Sequence, residues 1–183
     1  VTSSDTVDTN TLGVYTITYT ATDSSGNQAT ATRTVNVVDT TNPVMTLIGS
    51  NTVTIEAGST YTDAGASALD NYDGDITSSI VVVDNVDTSA LGSYTVIYNV
   101  ADSSGNNAIP LIRGVDVVDT TAPIITINGA STVSIQVGST YTDLGATATD
   151  NLDGDLTASI TVNNNVDANA VGTYTVTYDV TDA

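Results

Sequence analysis

The sequence predicts an all-β protein, built as a tandem array of antiparallel β-sandwich repeats of 80 residues. Long segments recur at this fixed interval, which is typical of repeat architectures. Between turns rich in Gly, Asn, Asp and Ser lie short segments in which apolar and polar residues alternate. Turns spaced roughly 8–12 residues apart favour an antiparallel sandwich. No segment has the 3.6-residue period of a helix.

The repeat sets the domain organisation. DNYDGDIT at 70–77 returns as DNLDGDLT at 150–157, and Asp39 and Asp119 both begin a DTT-x-P segment. LGVYTITYTATDSSGN at 12–27 matches LGSYTVIYNVADSSGN at 91–106, so the N-terminal segment belongs to the same series. We therefore expect the C-terminal part of a repeat at 1–38, a complete repeat at 39–118, and at 119–183 a repeat that lacks its last strand. We also expect the parent chain to continue in both directions.

The complete repeat contains six segments with strand character. The second, TVTIEA, is either a separate short strand or the far half of the first. In SYTVIY, Tyr94, Val96 and Tyr98 are expected to point to the core, and Thr95 and Ile97 to the other face. The predicted strands are 44–49, 52–57, 65–69, 79–85, 93–102 and 109–119.

A Leu/Val-Gly-x-Tyr step precedes the penultimate strand of each unit and contains Tyr15, Tyr94 or Tyr174. This position corresponds to the tyrosine corner of immunoglobulin-like sandwiches, in which the Tyr hydroxyl bonds the corner backbone. The alternative is that these tyrosines are ordinary core residues. The predicted fold is therefore a series of immunoglobulin-like antiparallel β-sandwiches.

Several motifs together resemble a known family: DTTAPIITING, GSTYTD, DNLDGDLT, and YTITYTATDSSGN followed by ATATRTVNVVD. They are similar to the bacterial surface Ig-like repeats, and the last also resembles hyalin-type repeats. The resemblance covers essentially the whole chain. It implies spacer repeats in long extracellular proteins, such as adhesin stalks, or accessory modules beside secreted enzymes. Fold analogy alone does not decide between these functions.

Composition excludes several function classes. The chain has 21 acidic residues and two basic ones, Arg33 and Arg113, giving a formal net charge of −19. Such a surface repels nucleic acid and anionic membranes, so we expect neither as a partner. No apolar run is long enough for membrane insertion. Without His or Cys, the Ser-His-Asp and Cys-His catalytic arrangements and His-based metal sites cannot form. We expect no catalytic residues, no organic cofactor and no enzyme activity.

Acidic residues cluster in turns around Gly74 and again around Gly154. Calcium prefers six to eight oxygen ligands, which such turns can supply. The D-N-x-D-G-D run differs from the EF-hand loop. The alternative is a plain polar turn, because Asp, Asn and Gly suit tight turns by themselves.

Topology favours calcium. In immunoglobulin strand order, the loops after the second and sixth strands share one pole with the start of the first strand. Carboxylates gathered there, without nearby cations, would repel strongly. We expect structural Ca²⁺ at the junctions between repeats, where the opposite pole of the preceding repeat adds ligands, including the turn that carries Asp5. The candidate metal ligands are Asp39, Asp70, Asn71, Asp73, Asp75, Asp102, Asp119, Asp150, Asn151, Asp153, Asp155, Asp182, Asp8, Asp63 and Asp87.

Two functions remain. The first is a calcium-stiffened stalk or filament on the bacterial cell surface, whose partners are the neighbouring repeats of the same chain. The second is a carbohydrate- or ice-binding accessory module of a secreted protein, with threonine-rich strand faces as the contact. A further hypothesis is head-to-tail self-association, in which one copy supplies the strand that residues 119–183 lack, by strand addition.

Overall fold

The computed structural model describes residues 1–4 and 6–182, and within them the regular structure is almost entirely β. Each helical element, Thr77–Ser79 and Thr157–Ser159, is a single 3-10 turn. Among the described residues, none lies in a helix with the length and apolar character needed to cross a membrane. The strands are β1 Thr2–Ser4, β2 Gly13–Thr22, β3 Gln28–Val37, β4 Val44–Leu47, β5 Thr52–Glu56, β6 Ala66–Asp70, β7 Gly74–Asp75, β8 Val81–Asp84, β9 Gly92–Asn99, β10 Leu111–Val118, β11 Ile124–Ile127, β12 Ala146–Asp150, β13 Gly154–Asp155, β14 Thr161–Asn164 and β15 Val176–Asp179.

Residues 1–38 form one antiparallel sheet in the order β1-β2-β3. The hairpin β2–β3 pairs from Gly13 with Val37 to Thr22 with Gln28, closed by the turn at 23–27. Because side chains alternate along a strand, Tyr15, Ile17 and Tyr19 share one face and the intervening threonines the other. This is the alternation that the sequence predicts.

The complete repeat has two sheets, β4-β6-β7 and β5-β10-β9-β8, which confirms the all-β sandwich class. The first strand changes sheets between Leu47 and Thr52: β4 pairs with β6, whereas β5 pairs with β10. TVTIEA is therefore a separate strand in the opposite sheet. The β5–β10 pairing is parallel, so the sandwich is not purely antiparallel as predicted. The switch brings the second half of the first strand alongside the last strand, and the two run in the same direction.

The core of the complete repeat lies between these sheets. Val96 and Tyr98 of β9 and Val115 of β10 are fully buried. Thr95 and Ile97 are only half-buried, as is Tyr94, so the predicted alternation along β9 is confirmed for Val96 and Tyr98. Small side chains are buried as well, including Ala66 and Ala68 of β6.

The tyrosine corner forms in all three units. The hydroxyl of Tyr94 donates to the carbonyl of Ala90 at 3.0 Å. Tyr15 and Tyr174 make the same bond to the carbonyl four residues upstream, at 2.8 and 3.3 Å. The glycine two residues before each tyrosine lies against its ring, and a Cβ added at Gly92 would lie 3.6 Å from the Tyr94 ring. The three equivalent bonds support the corner over an ordinary core role.

Residues 119–182 form the sheets β11-β12-β13 and β14-β15. Residues 132–137, equivalent to β5 and its flanks, lie outside the strands. In the complete repeat, β5 is held by its pairing with β10. Val133, Ile135 and Val137 are exposed. Whether a neighbouring copy supplies this strand stays a prediction.

By Cα proximity the chain divides into two compact units, 1–51 with 64–84 and 96–113, and 52–63 with 85–95 and 114–183. Within the complete repeat, the second unit contains β5 and residues 85–95 and 114–118, and the first unit contains most of the remainder. The repeat boundaries after residues 38 and 118 stay predictions.

Arg113 of β10 is the largest fully buried side chain of the described residues. Its guanidinium donates to the carbonyls of Ser50 and Ile48, where the first strand changes sheets, at 2.5 and 2.7 Å. It also donates to the carbonyl of Gly65 and the hydroxyl of Tyr98. The carbonyls of Ser50 and Ile48 lie between β4 and β5, outside both strands, and the guanidinium supplies donors to them. Arg113 therefore stabilises the switch between β4 and β5.

Replacing Arg113 with Met should lower the free energy of unfolding by roughly 3 kcal/mol, because it removes several charge-assisted hydrogen bonds made by a buried guanidinium. Urea unfolding measures the change. Arg33 is the matched control, since it occupies the equivalent position but is exposed and stacks 5.8 Å from the Tyr19 ring. Arg33→Met should cost about 1 kcal/mol or less. Equal losses for the two variants would contradict the role given to Arg113.

Candidate metal centre at the repeat poles

Three carboxylates meet at one pole of the complete repeat. Asp39 precedes β4, Asp70 ends β6, and Asp102 follows β9. One carboxylate oxygen from each lies within 4.8 Å of the others. We call this the first carboxylate cluster. It gathers residues from three separate parts of the sequence, as the predicted strand order requires.

The turn at 70–75 places the Asp70 carboxylate. Its Oδ1 accepts hydrogen bonds from the amides of Tyr72 and Asp73, at 2.8 and 2.9 Å. Gly74 has a φ of +74°, which favours glycine, and it lets the chain return to pair with β6 as β7. β7 is not among the strands predicted from the sequence. The local turn thus uses one oxygen of Asp70 and leaves the other pointing away from the turn amides.

The free oxygen of Asp70 is the most unusual feature of the cluster. The residue is 5 % exposed, and its Oδ2 is buried without a hydrogen-bond partner among the described residues. Oδ2 of Asp39 is in the same state, while its Oδ1 accepts from the Thr41 amide. Buried polar atoms almost always have partners, so each exception needs an explanation.

Asp102 is held differently. Its two oxygens accept from the backbone and side-chain amides of Asn106, both at 2.7 Å. Burial alone would raise the pKa of Asp102, but the Asn106 side chain and the backbone amides of residues 104–106 outweigh it and hold the pKa below its usual value. Asn106 also donates to the Asp39 carbonyl at 3.3 Å. The third carboxylate is therefore kept ionised and fixed in position.

The next repeat reproduces this arrangement. Asp119, Asp150 and Asp182 form the second carboxylate cluster, again with oxygens within 4.8 Å of one another. Oδ1 of Asp150 accepts from the amides of Leu152 and Asp153, as Asp70 does in the first cluster. Oδ2 of Asp119 and Asp150 are buried without a partner. The three residues are half-buried, so this cluster is more open than the first.

Glu56 lies beside the second cluster and was missed by the sequence analysis. The Glu56 carboxylate interacts electrostatically with the carboxylates of Asp119 and Asp150. The Thr121 amide favours the charged form of Asp119, but burial and the carboxylates of Glu56 and Asp150 outweigh it and raise the pKa of Asp119. Two features of the sequence distinguish Glu56: it is the only glutamate of the chain, and Gln136 replaces it in the next repeat.

The remaining predicted ligands lie outside the two clusters. Asp73 accepts from the amide and hydroxyl of Ser103, both at 2.7 Å, and so joins two turns of the pole. Asn71 and Asn151 are exposed in the same turns. Asp5 lies outside the described residues. Asp75 and Asp155 accept hydrogen bonds from the amides of Thr77 and Thr157. The other carboxylates also accept from nearby residues: Asp8 from Asn10 and Thr11, Asp63 from Tyr61, and Asp87 from Ser89. Asp153 lies in the turn at 150–155.

The family of the chain follows from a match to the model described as "Bacterial surface protein, Ig-like domain", over residues 1–37, 45–117 and 125–183. The chain belongs to this bacterial surface Ig-like family. The resemblance seen in the sequence, both to these repeats and to hyalin, is thereby confirmed.

Relatives of this Ig-like chain are much longer proteins. It is 30 % identical over 197 aligned residues to an 81.3 kDa protein of Acholeplasma phage L2, covering 100 % of the chain and 26 % of the relative. It is 33 % identical over 138 residues to hyalin of Strongylocentrotus purpuratus, covering 70 % and 11 %. Among solved structures, the lipoprotein BT2262 of Bacteroides thetaiotaomicron matches with 25 % identity and a TM-score of 0.39, covering 47 % and 45 %. The chain thus spans about a quarter or less of the curated relatives named here.

Proposed function

We propose that these Ig-like repeats are a spacer in an extracellular bacterial surface protein, such as an adhesin stalk or a surface filament, and have no catalytic activity. Membership of a surface-protein family and the tandem repeats support this role. A spacer needs solubility and stiff joints. The net charge of −19 serves the first, and a cation at the repeat poles would serve the second.

The observation that carries the cation is the buried, unpartnered Oδ2 of Asp70, next to Asp39 and Asp102. Three carboxylates this close disfavour the compact state unless a positive charge neutralises them. Calcium bonds oxygen at about 2.3–2.6 Å, so one ion reaches oxygens up to roughly 4.8 Å apart. The free oxygens of Asp39 and Asp70 are available without breaking any turn hydrogen bond.

The chemistry of the donors favours calcium over other metals. The pole offers carboxylate and carbonyl oxygens, and the chain has neither His nor Cys for zinc or copper. Magnesium bonds oxygen at about 2.0–2.1 Å and prefers to keep its own water. The structural Ca²⁺ of the sequence analysis is therefore the cation that we propose.

The position of the cluster connects the ion to stiffness. Asp39 lies in the segment between β3 and β4, where one repeat continues into the next, and Asp119 lies in the equivalent segment between β10 and β11. An ion held by Asp39, Asp70 and Asp102 would fix this connecting segment to two turns of the repeat body. The joint would lose freedom when calcium binds.

Asp70→Asn should have opposite effects with and without calcium. The amide keeps the Oδ1 acceptor for the turn but removes one negative charge. In chelator the variant should melt at a higher temperature than the wild type, because repulsion falls. In millimolar calcium the wild type should gain up to about 2.7 kcal/mol at a hundred times the dissociation constant, and the variant less. Differential scanning calorimetry measures both conditions.

The double variant Asp70→Asn/Asp150→Asn should lose the calcium response altogether. Asp87→Asn is the control, because Asp87 also accepts a turn amide, from Ser89, but lies outside both clusters. It should keep the full response. Wild-type melting that is the same in calcium and in chelator would remove calcium from the proposal.

A second candidate function rests on the sheet β1-β2-β3. One face of its hairpin has three cross-strand threonine pairs, Thr16 with Thr34, Thr18 with Thr32 and Thr20 with Thr30. Neighbouring strands are about 4.8 Å apart, so the hydroxyls form a regular array. Such an array supports the alternative of a carbohydrate- or ice-binding module.

Valine in place of Thr18, Thr20 and Thr32 should abolish ligand binding by this face while keeping its shape and β propensity. Binding to a carbohydrate array and thermal hysteresis of ice growth are the two measurements. If the wild-type chain shows neither activity, this second candidate fails and the spacer role is unaffected.

A further inference from the structure

Glu56 connects the complete repeat to the segment that follows it. Oε1 accepts hydrogen bonds from the Thr120 amide at 3.0 Å and the Thr121 hydroxyl at 2.7 Å, and Oε2 accepts from the Thr120 hydroxyl at 2.9 Å. Thr120 and Thr121 lie between β10 and β11, in the connection to the next repeat. One side chain thus makes three bonds to two successive residues of the connection.

The backbone places this carboxylate. Glu56 is the last residue of β5 and pairs in parallel with Val118, the last residue of β10. The next amide, that of Ala57, donates to the Val118 carbonyl at 2.8 Å. The Glu56 side chain therefore starts level with the end of β10 and extends along the connection. The Thr120 amide, with the hydroxyls of Thr121 and Thr120, lowers the pKa of Glu56 to about 2, so the carboxylate is charged at neutral pH.

We infer that Glu56 is a positioning residue that fastens the inter-repeat connection, fixing residues 120–121 against the end of β5. Charge-assisted hydrogen bonds are roughly twice as strong as neutral ones, and three of them act on one short segment. Loss of the side chain would free residues 120–121 from the end of β5. The joint between the second and third repeats would then bend more widely.

The residue that would fasten the connection differs between repeats. Gln136 stands where Glu56 stands one repeat earlier. A glutamine keeps one acceptor oxygen but has no charge, so it would bind an equivalent connection less strongly. Joints of the array would therefore differ in stiffness according to the residue at this one position.

The inference rests on the proposed function in one respect, which is the effect of a calcium ion on the carboxylates around Glu56. Glu56 adds a fourth carboxylate near Asp119 and Asp150. A cation held by the second carboxylate cluster would reduce their mutual repulsion and keep Glu56 in place. Fastening by hydrogen bonds does not itself require the ion.

Hydrogen exchange of the Thr120 amide in the full 183-residue chain tests the inference. In chelator, Glu56→Ala should accelerate its exchange at least tenfold, because the loss of charge-assisted bonds is worth that factor or more. Glu56→Gln should fall between the wild type and Glu56→Ala. Gln136→Ala is the control and should leave the Thr120 amide unchanged. Unchanged Thr120 exchange in Glu56→Ala would overturn the inference.

Joint stiffness is measured separately. The chain has no cysteine, so Thr54→Cys and Asn163→Cys, both at exposed positions, allow paired spin labels. The distance distribution should broaden in Glu56→Ala and broaden less in Glu56→Gln. An equally narrow distribution in Glu56→Ala would contradict the role in stiffness.

The two proposals fail separately. If Thr120 exchange responds to Glu56→Ala but calcium changes neither melting nor exchange, the fastening stands and the calcium site fails. If calcium stabilises the chain and Asp70→Asn reduces that effect, but the exchange rate of the Thr120 amide is unchanged in Glu56→Ala, the calcium site stands and the fastening fails.

Discussion

Repulsion among the three carboxylates at each repeat pole is the interaction that a folded repeat has to offset. At about 4 Å, two like charges cost roughly 1 kcal/mol in water and about 4 kcal/mol near a protein surface. Each cluster contains three such groups within 4.8 Å. Net stabilities of folded domains are only about 5–15 kcal/mol. The electrostatic energy of the carboxylates at one pole is therefore comparable with the net stability of a folded domain.

The core has few residues with which to offset this repulsion. It contains no Phe or Trp, and Tyr98, Val96 and Val115 supply much of its fully buried volume. Specific polar contacts take over at the places where regular pairing stops. Arg113 supplies the donors at the strand switch, the tyrosine corners fix the entry to β2 and β9, and Glu56 holds the connection after β10.

The features that recur in each repeat could be predicted from the sequence. The 80-residue period, the alternation in SYTVIY and the Leu-Gly-x-Tyr step predicted the sandwich, the orientation of Tyr98 and the corner bond of Tyr94. The Ig-like strand order also placed Asp39, Asp70 and Asp102 at one pole, where the structure brings them together. These predictions succeed because periodicity and strand order are properties of the chain that a single sequence contains.

Other features depend on contacts that a single sequence does not specify. The parallel pairing of β5 with β10 follows from the sheet switch, and the distance between Leu47 and Thr52 along the chain does not reveal it. Asp73 and Asp70 look alike in the D-N-x-D-G-D run, yet Asp73 bonds Ser103 while Asp70 faces the cluster. Which of two neighbouring carboxylates points to the pole is decided by the turn geometry around Gly74. Arg113 and Glu56 act on backbone groups more than 40 residues away in the sequence.

Isothermal titration of the full chain with calcium, in buffer freed of divalent ions, tests the central claim most directly. The account predicts two saturable sites per chain, one for each carboxylate cluster, with dissociation constants near 10⁻⁴–10⁻³ M as in other extracellular modules. Asp70→Asn should leave one site, and Asp70→Asn/Asp150→Asn none. A wild-type chain that gives no saturable binding in this range, or an Asp70→Asn variant that keeps both sites, would contradict the account.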